Sequence, residues 1–91
     1  MRYEILLFED QELYGAYRGQ TLSVFVEWCE RYITRGYVSV DVGDTWAVVR
    51  DISGCHKPMM LVLIGEVTEA EKRTLRALGE QPINGHVLPV Q

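Results

Sequence analysis

The sequence predicts a small α+β domain in which two helices pack on a mixed β-sheet of four to five strands. Three observations predict it: a hairpin pattern over residues 37–52, helical spacing over residues 21–35, and a second capped helical segment over about 68–78. The chain has 91 residues, of which 47% are apolar and 24% charged, as is usual for globular proteins. We therefore expect a single α+β domain, residues 1–91, with one hydrophobic core.

The central element is a β-hairpin formed by residues 37–52, YVSVDVGDTWAVVRDI. Valines alternate with polar residues from position 38 to 42, which is the period of a strand with one buried face. Gly43 and Asp44 have the composition of a two-residue hairpin turn. With these two residues as the loop, three cross-strand pairs share the outer face of the hairpin: Asp41 with Trp46, Ser39 with Val48, and Tyr37 with Arg50.

Two short runs, residues 2–8 (RYEILLF) and 59–64 (MMLVLI), are apolar on both faces and predict inner strands of the sheet. Residues 86–90 predict a last strand. Because Pro89 has no N–H to donate to a neighbouring strand, that strand is expected at an edge.

Residues 13–19 (LYGAYRG) are compatible with two structures. They can form a second arm antiparallel to the first strand, with Leu13 opposite Phe8 and Ala16 opposite Ile5. They can equally form an irregular loop, because two glycines interrupt the segment.

Residues 21–35 predict an amphipathic helix with Thr21 as N-cap and Gly36 as left-handed C-cap. Its core stripe lies beside a second apolar ridge that contains Val24, Trp28 and Tyr32. A helix that is apolar over more than half its circumference is either wedged between two surfaces or presents Trp28 to a partner.

The second helix is predicted from Thr68 and Glu71, which have capping-box spacing. Two packings of the helices fit the pattern. Both helices can cover one face of the sheet, which leaves an open second face, or they can lie on opposite faces. With only two helices we favour the first, which leaves some of these residues uncovered: Trp46, Val48, Leu6 or Phe8.

No catalytic, metal-binding or cofactor-binding motif is present, and we expect no cofactor. Cys55 and His56 are adjacent and would point apart in an extended loop, so His56 is a poor base for a Cys55 nucleophile. A metal site built from Cys29, Cys55, His56 and His86 would lack the short paired spacing of zinc sites. The acidic residues of the hairpin, Asp41, Asp44 and Asp51, are better explained as turn and solvated side chains.

The net charge of −4 argues against nucleic acid as a partner, since such proteins present dense positive charge. Tyr14, Tyr17 and Arg18 are accordingly expected to pack on the sheet and not to stack on bases. We expect neither a signal peptide nor a membrane span, because the longest apolar run has only the six residues 59–64. Cytoplasmic localisation is the expectation, and two cysteines without a disulfide pattern agree with it.

The predicted function is that of a small soluble, non-catalytic protein that binds other proteins, most simply itself as a homodimer. Aromatic residues and arginine are enriched at interface centres, and the expected interface residues are Tyr37, Trp46, Val48 and Arg50, with Trp28. One alternative is an adaptor or inhibitor that docks on another protein. Another is a domain that binds a small ligand or catalyses a reaction between the hairpin and residues 13–19.

Overall fold

The chain folds into five strands and two helices in the order ββαβββα. The computed structural model describes residues 2–33, 36–54 and 56–83. The elements are β1 (Tyr3–Glu9), β2 (Glu12–Gln20), α1 (Leu22–Tyr32), β3 (Val38–Val42), β4 (Trp46–Asp51), β5 (Met59–Ile64) and α2 (Glu69–Ala77). The predicted α+β class is confirmed. The strand predicted over residues 86–90 lies outside the described residues.

All five strands form one sheet in the order β2-β1-β5-β4-β3. Every pairing is antiparallel, whereas a mixed sheet was the expectation. Strands β1–β2 and β3–β4 are hairpins, and β5 enters between them antiparallel to both of its neighbours. The two apolar runs, β1 and β5, are adjacent inner strands, as predicted.

Residues 12–20 form an edge strand, so the first of the two alternatives for this segment is correct. Leu13 lies opposite Phe8, as predicted. Ala16 lies opposite Leu6, one position away from the predicted Ile5, because the register shifts at a bulge between these two pairs.

The central hairpin forms, but the predicted register is wrong by two residues. The N–H of Gly43 donates to the carbonyl of Trp46 at 2.8 Å, so these residues pair and the loop is 44–45, not Gly43-Asp44. Asp41 therefore lies opposite Val48, and Ser39 lies opposite Arg50. Because side chains alternate with a period of two, this shift leaves each one on its predicted face.

The loop of the hairpin is held by the segment that joins β5 to α2. Gly65 and Val67 donate backbone N–H groups to the carbonyls of Thr45 (3.0 Å) and Asp44 (2.8 Å). The Lys72 Nζ of α2 lies 2.6 Å from Asp44 Oδ1, and this hydrogen bond lowers the pKa of the Asp44 carboxyl. These contacts keep residues 44 and 45 in the loop, which explains the observed register.

The core lies between one face of the sheet and both helices. Phe25 and Cys29 of α1 and Leu75 of α2 are buried in the same cluster as the inward side chains of four strands. The inward side chains are Tyr3, Ile5, Leu7, Val38, Ala47, Val49, Leu61 and Leu63. The shortest dimension of the molecule is 18 Å, which accommodates one sheet layer and one helix layer. Both helices therefore cover one face, which is the arrangement that we favoured.

Both helices begin at the predicted caps. Thr21 Oγ1 accepts from the N–H of Val24 at 3.2 Å, and α1 is helical to Tyr32, where the prediction extended to residue 35. Helix α2 begins after Thr68 with both hydrogen bonds of the predicted capping box.

The capping-box carboxylate of Glu71 also joins α2 to the sheet. Its Oε1 accepts from the Thr68 N–H at 2.8 Å, and its Oε2 accepts from the buried Tyr3 hydroxyl at 2.6 Å. The Thr68 N–H, followed by the Tyr3 hydroxyl, lowers the pKa of the Glu71 carboxyl. Burial, together with this carboxylate, raises the pKa of the Tyr3 hydroxyl. One ionised group thus caps a helix and positions it on β1.

We expect Glu71→Gln to lower the free energy of unfolding by about 1 kcal/mol at pH 7, through loss of charge-assisted hydrogen bonds. Because folding lowers the pKa of Glu71, its contribution is complete above the unfolded pKa of about 4.3 and is lost as pH falls through the lower folded pKa. Urea denaturation at several pH values should therefore show a constant deficit between about pH 6 and 8, which shrinks below about pH 4. Exposed Glu27→Gln in α1 is the control, and a Glu71→Gln deficit that stays unchanged at low pH would contradict the assignment.

Candidate functional site

The sheet face opposite the helices, here called the open face, is the candidate functional site. Antiparallel pairing places its side chains in three rows across the sheet. The middle row runs Ala16, Leu6, Val62, Val48 and Asp41. One flanking row runs Leu13, Phe8, Met60, Arg50 and Ser39, and the other contains Glu4, Ile64 and Trp46.

Apart from Glu4 in β1 and Arg50 in β4, the side chains that the three inner strands place on the open face are apolar. Leu6 and Phe8 of β1, Met60 and Val62 of β5, and Val48 of β4 are half-buried by their neighbours within the sheet. Three other apolar side chains of this face are more exposed: Leu13 at 58%, Trp46 at 42% and Ile64 at 41%. No helix covers this face in the described part of the chain, so these groups form one continuous apolar surface.

Two ion pairs lie on the open face, one towards each edge of the sheet. Arg50 Nη1 lies 3.2 Å from Asp41 Oδ2, and Arg18 Nε lies 3.9 Å from Glu4 Oε2. Both pairs are solvent-exposed and contribute little to stability. They do give the apolar surface a charged margin on both sides.

The indole of Trp46 lies over the backbone of Gly43, the residue with which it pairs. A Cβ added at Gly43 would overlap the Nε1 side of the ring. An aromatic ring placed over a glycine in the neighbouring strand covers backbone that would otherwise be exposed. The absence of a side chain at Gly43 leaves the space that the indole occupies on the open face.

The structure brings three of the five predicted interface residues together. Trp46, Val48 and Arg50 are on the open face, but the expected pairing of Arg50 with Tyr37 is wrong because of the register shift. In the observed register Arg50 lies opposite Ser39, and its guanidinium forms an ion pair with Asp41. Tyr37 precedes β3 and is exposed, and its carbonyl accepts from the N–H of Ile52 at 3.4 Å.

Trp28 lies on the other side of the sheet, with α1. Its ring makes edge contacts with the ring of Tyr17 in β2, at a centroid distance of 4.9 Å, and with that of Tyr32, at 6.5 Å. The second ridge of α1 is thus partly covered by β2. A single partner on the open face would not reach Trp28.

The sequence interpretation missed the contribution of β5 to this face. Met60, Val62 and Ile64 form its centre, but an unbroken apolar run is the pattern of a strand covered on both faces. The only sequence signal for an uncovered face was the number of helices, because two helices are too few to cover both faces of the sheet.

Of the residues considered for chemistry, Cys29, His56 and the three hairpin aspartates lie in the described part of the chain. Cys29 is fully buried, and burial raises the pKa of its thiol to about 12, so it is not a nucleophile. Cys55 and His86 lie outside the described residues, so the Cys55–His56 pair and the four-residue metal set are not described. Among residues 2–33, 36–54 and 56–83, no three His, Cys, Asp or Glu side chains are grouped to hold a metal ion.

The three hairpin aspartates are engaged separately. Asp41 pairs with Arg50, Asp44 pairs with Lys72, and Asp51 Oδ1 accepts from the N–H of Ser53 at 2.8 Å. Strands β1 and β5 lie between β2 and the central hairpin, so residues 12–20 are not adjacent to that hairpin in the sheet.

No family model, curated protein or solved structure matches this chain. No helix among the described residues is long and apolar enough to span a membrane. The candidate site therefore rests on the geometry of the open face alone.

We expect Gly43→Ala to destabilise the protein by about 1 kcal/mol, because the new methyl group and the indole of Trp46 overlap and one of them must move. Thermal denaturation measures the loss, and a changed near-ultraviolet circular dichroism spectrum would report the displaced ring. In a Trp46→Val background the same substitution should cost much less. An equal cost in both backgrounds would show that the ring does not lie over Gly43.

Proposed function

We propose that this protein is a non-catalytic, cytoplasmic binding protein that forms a homodimer through the open face of its sheet. The observation that carries the proposal is the continuous apolar surface on strands β1, β5 and β4. Contiguous apolar surface on a folded domain is typical of a binding site. The ion pairs at its two margins correspond to the polar rim of an interface.

The size of the face suits a dimer of small subunits. Five strands spaced by about 4.8 Å, with about six residues per strand at 3.4 Å each, give a face of roughly 24 by 20 Å. Two such faces in contact would bury on the order of 1,000 Å² in total, the lower bound for a specific interface. In such a dimer the two sheets would stack about 10 Å apart, with the helices outside.

Charge favours a second copy of this chain as the partner. Within each of the two ion pairs the positive and negative charges cancel. Arg2 at the margin adds one positive charge, and its guanidinium donates to the Gly19 carbonyl at 2.8 Å. The rest of the molecule therefore carries a formal charge of −5, which with the +1 of this face gives the net charge of −4. Two copies of this acidic chain can bring these faces together without strong repulsion. A highly charged partner would meet few opposite charges on the open face.

Trp46→Glu should convert the dimer into a monomer. A carboxylate at this position would face the apolar surface of the partner without a counter-ion, which costs more than the interface can supply. Sedimentation equilibrium over a range of concentrations measures the change in mass. Circular dichroism should show that the variant remains folded, since residue 46 is partly exposed in the monomer.

Tyr32→Glu is the matched control for Trp46→Glu. Tyr32 is an aromatic residue of similar exposure, 37% against 42%, but it lies on the helix side of the sheet. It should leave the dimer intact. A wild-type protein that sediments as a monomer at all concentrations would end the homodimer proposal and leave docking on a different protein as the remaining use of this face.

A further inference from the structure

We infer that residues 86–90 of this chain pair, as a sixth strand, in parallel with the outer edge of β3. The inference does not depend on the homodimer, because it concerns an edge of the sheet and not the contact between two faces. It follows from the backbone groups that β3 leaves unpaired, from the position of Ile83 and from the place of Pro89 in the sequence.

Strand β3 pairs only with β4 among the described residues. Two backbone hydrogen bonds flank the ladder, from the Gly43 N–H to the Trp46 carbonyl and from the Ile52 N–H to the Tyr37 carbonyl. Because hydrogen-bonded and non-bonded pairs alternate in an antiparallel ladder, every second residue of β3 turns its N–H and C=O groups away from β4. The residues with outward backbone groups are Val38, Val40 and Val42.

The two edges of the sheet differ in regularity. Strand β2 has two register shifts against β1, and such irregularities disfavour the addition of a further strand. Strand β3 pairs with β4 without a register shift. A regular unpaired edge is open to other chains, and proteins commonly cover such an edge. The edge of β3 is therefore the one that a further strand would fit.

The chain lies beside β3 just before the predicted strand. The N–H of the buried Ile83 donates to the carbonyl of Gly36 at 2.9 Å, two residues before β3 begins. From Ile83 to residue 86 the chain spans at most about 11 Å. The edge of β2 lies four strand spacings from β3, or about 19 Å. Residues 86–90 therefore reach the edge of β3 and not that of β2.

The same reach determines the direction of the strand. Val42 lies six residues beyond Gly36, or about 20 Å along β3. An antiparallel strand along β3 would have to begin beside Val42, which residues 84 and 85 are too short to reach from Ile83. A parallel strand begins beside the first residues of β3, close to Ile83.

The hand of the crossover connections favours the same placement. Strand directions alternate across the sheet, so β2, β5 and β3 run the same way. The connection β2–α1–β3 crosses towards the β3 edge with its helix on the core side. A parallel strand beside β3 gives the connection from β5 through α2 the same direction, the same side and hence the same hand. Nearly all such crossovers in proteins share one hand, and a strand beside β2 would require the opposite one.

Pro89 determines which residues of the segment face β3. Alternate residues of a strand direct their N–H groups to the same neighbour. A strand with residues 87 and 89 facing β3 would lack a donor at Pro89, so residues 86, 88 and 90 face β3. Registers that differ by two residues satisfy this rule equally. In each of them the Leu88 N–H donates to an outward carbonyl of β3, and the Val40 N–H donates to the new strand.

The same rule assigns the side chains. Aligned residues of neighbouring strands share a face of the sheet. Val87 then aligns with a valine of β3 on the core side, where Val40 and Val42 are only partly buried. Leu88 aligns with Ser39 or Asp41 on the open face. The new strand thus covers the outer flank of the core beside β3 and widens the open face by one strand.

The first test is amide hydrogen exchange of the full chain, measured by NMR. The Val40 N–H should be protected, and Leu88→Pro should speed its exchange about tenfold or more, because the proline removes a donor that faces β3. Val87→Pro is the matched control, since the N–H of residue 87 faces away from β3. The Asp41 N–H, which faces β4, should stay protected in both variants. Fast exchange of Val40 in the wild type, or equal acceleration by both prolines, would overturn the inference.

Disulfide trapping determines which chain supplies the strand. In a Cys55→Ser background, Leu88→Cys should form an intrachain disulfide with either Ser39→Cys or Asp41→Cys, because aligned residues of neighbouring strands are within disulfide reach. Val87→Cys, on the opposite face, should form neither link. Cys29 is fully buried and is not expected to react.

Non-reducing electrophoresis separates the outcomes of the trapping experiment. Links between two chains would assign the strand to a second copy, and the absence of links from Leu88→Cys would leave the edge of β3 unpaired. Either result would overturn the inference. Sedimentation of the wild type tests the homodimer separately, so the failure of one proposal is distinguishable from the failure of the other.

Discussion

The structure depends on one constraint, which is that two short helices cover only one face of a five-stranded sheet. Helices α1 and α2 have 11 and 9 residues, or about 16 and 13 Å at 1.5 Å per residue. The sheet beneath them is roughly 24 Å wide at about 4.8 Å per strand. Both helices are needed to enclose the single core, so nothing among the described elements is left for the other face.

Polar contacts on the covered side determine the geometry of the open side. Glu71 ties the start of α2 to Tyr3 of β1, and Lys72, one residue later, ties it to Asp44 in the hairpin loop. The hairpin register that follows from this loop places Val48 opposite Asp41 and brings Arg50 within reach of the same carboxylate. The surface available to a partner is thus arranged by hydrogen bonds on the far side of the sheet.

Local signals in the sequence predicted most of the fold and part of the candidate site. Caps at Thr21 and Thr68 located both helices, and alternation placed Trp46, Val48 and Arg50 on the correct face. The hairpin register was not predictable in this way, because loops at 43–44 and 44–45 give the same alternation, and only contacts with the distant segment 65–67 distinguish them. The exposure of β5 was also missed, since an apolar run does not reveal how many of its faces are covered.

The polarity of the open face differs between strand β3, at one edge of the sheet, and strand β5, at its centre. An antiparallel sheet with one face in water normally alternates apolar and polar residues along each strand. Edge strand β3 follows this rule, with Ser39 and Asp41 on the open face, whereas the central strand β5 has Met60, Val62 and Ile64 there. An interface with an apolar centre and a polar rim would show a difference of this kind. Because the helices already cover one face of β5, its apolar residues on the other face support the proposal that a second chain binds there.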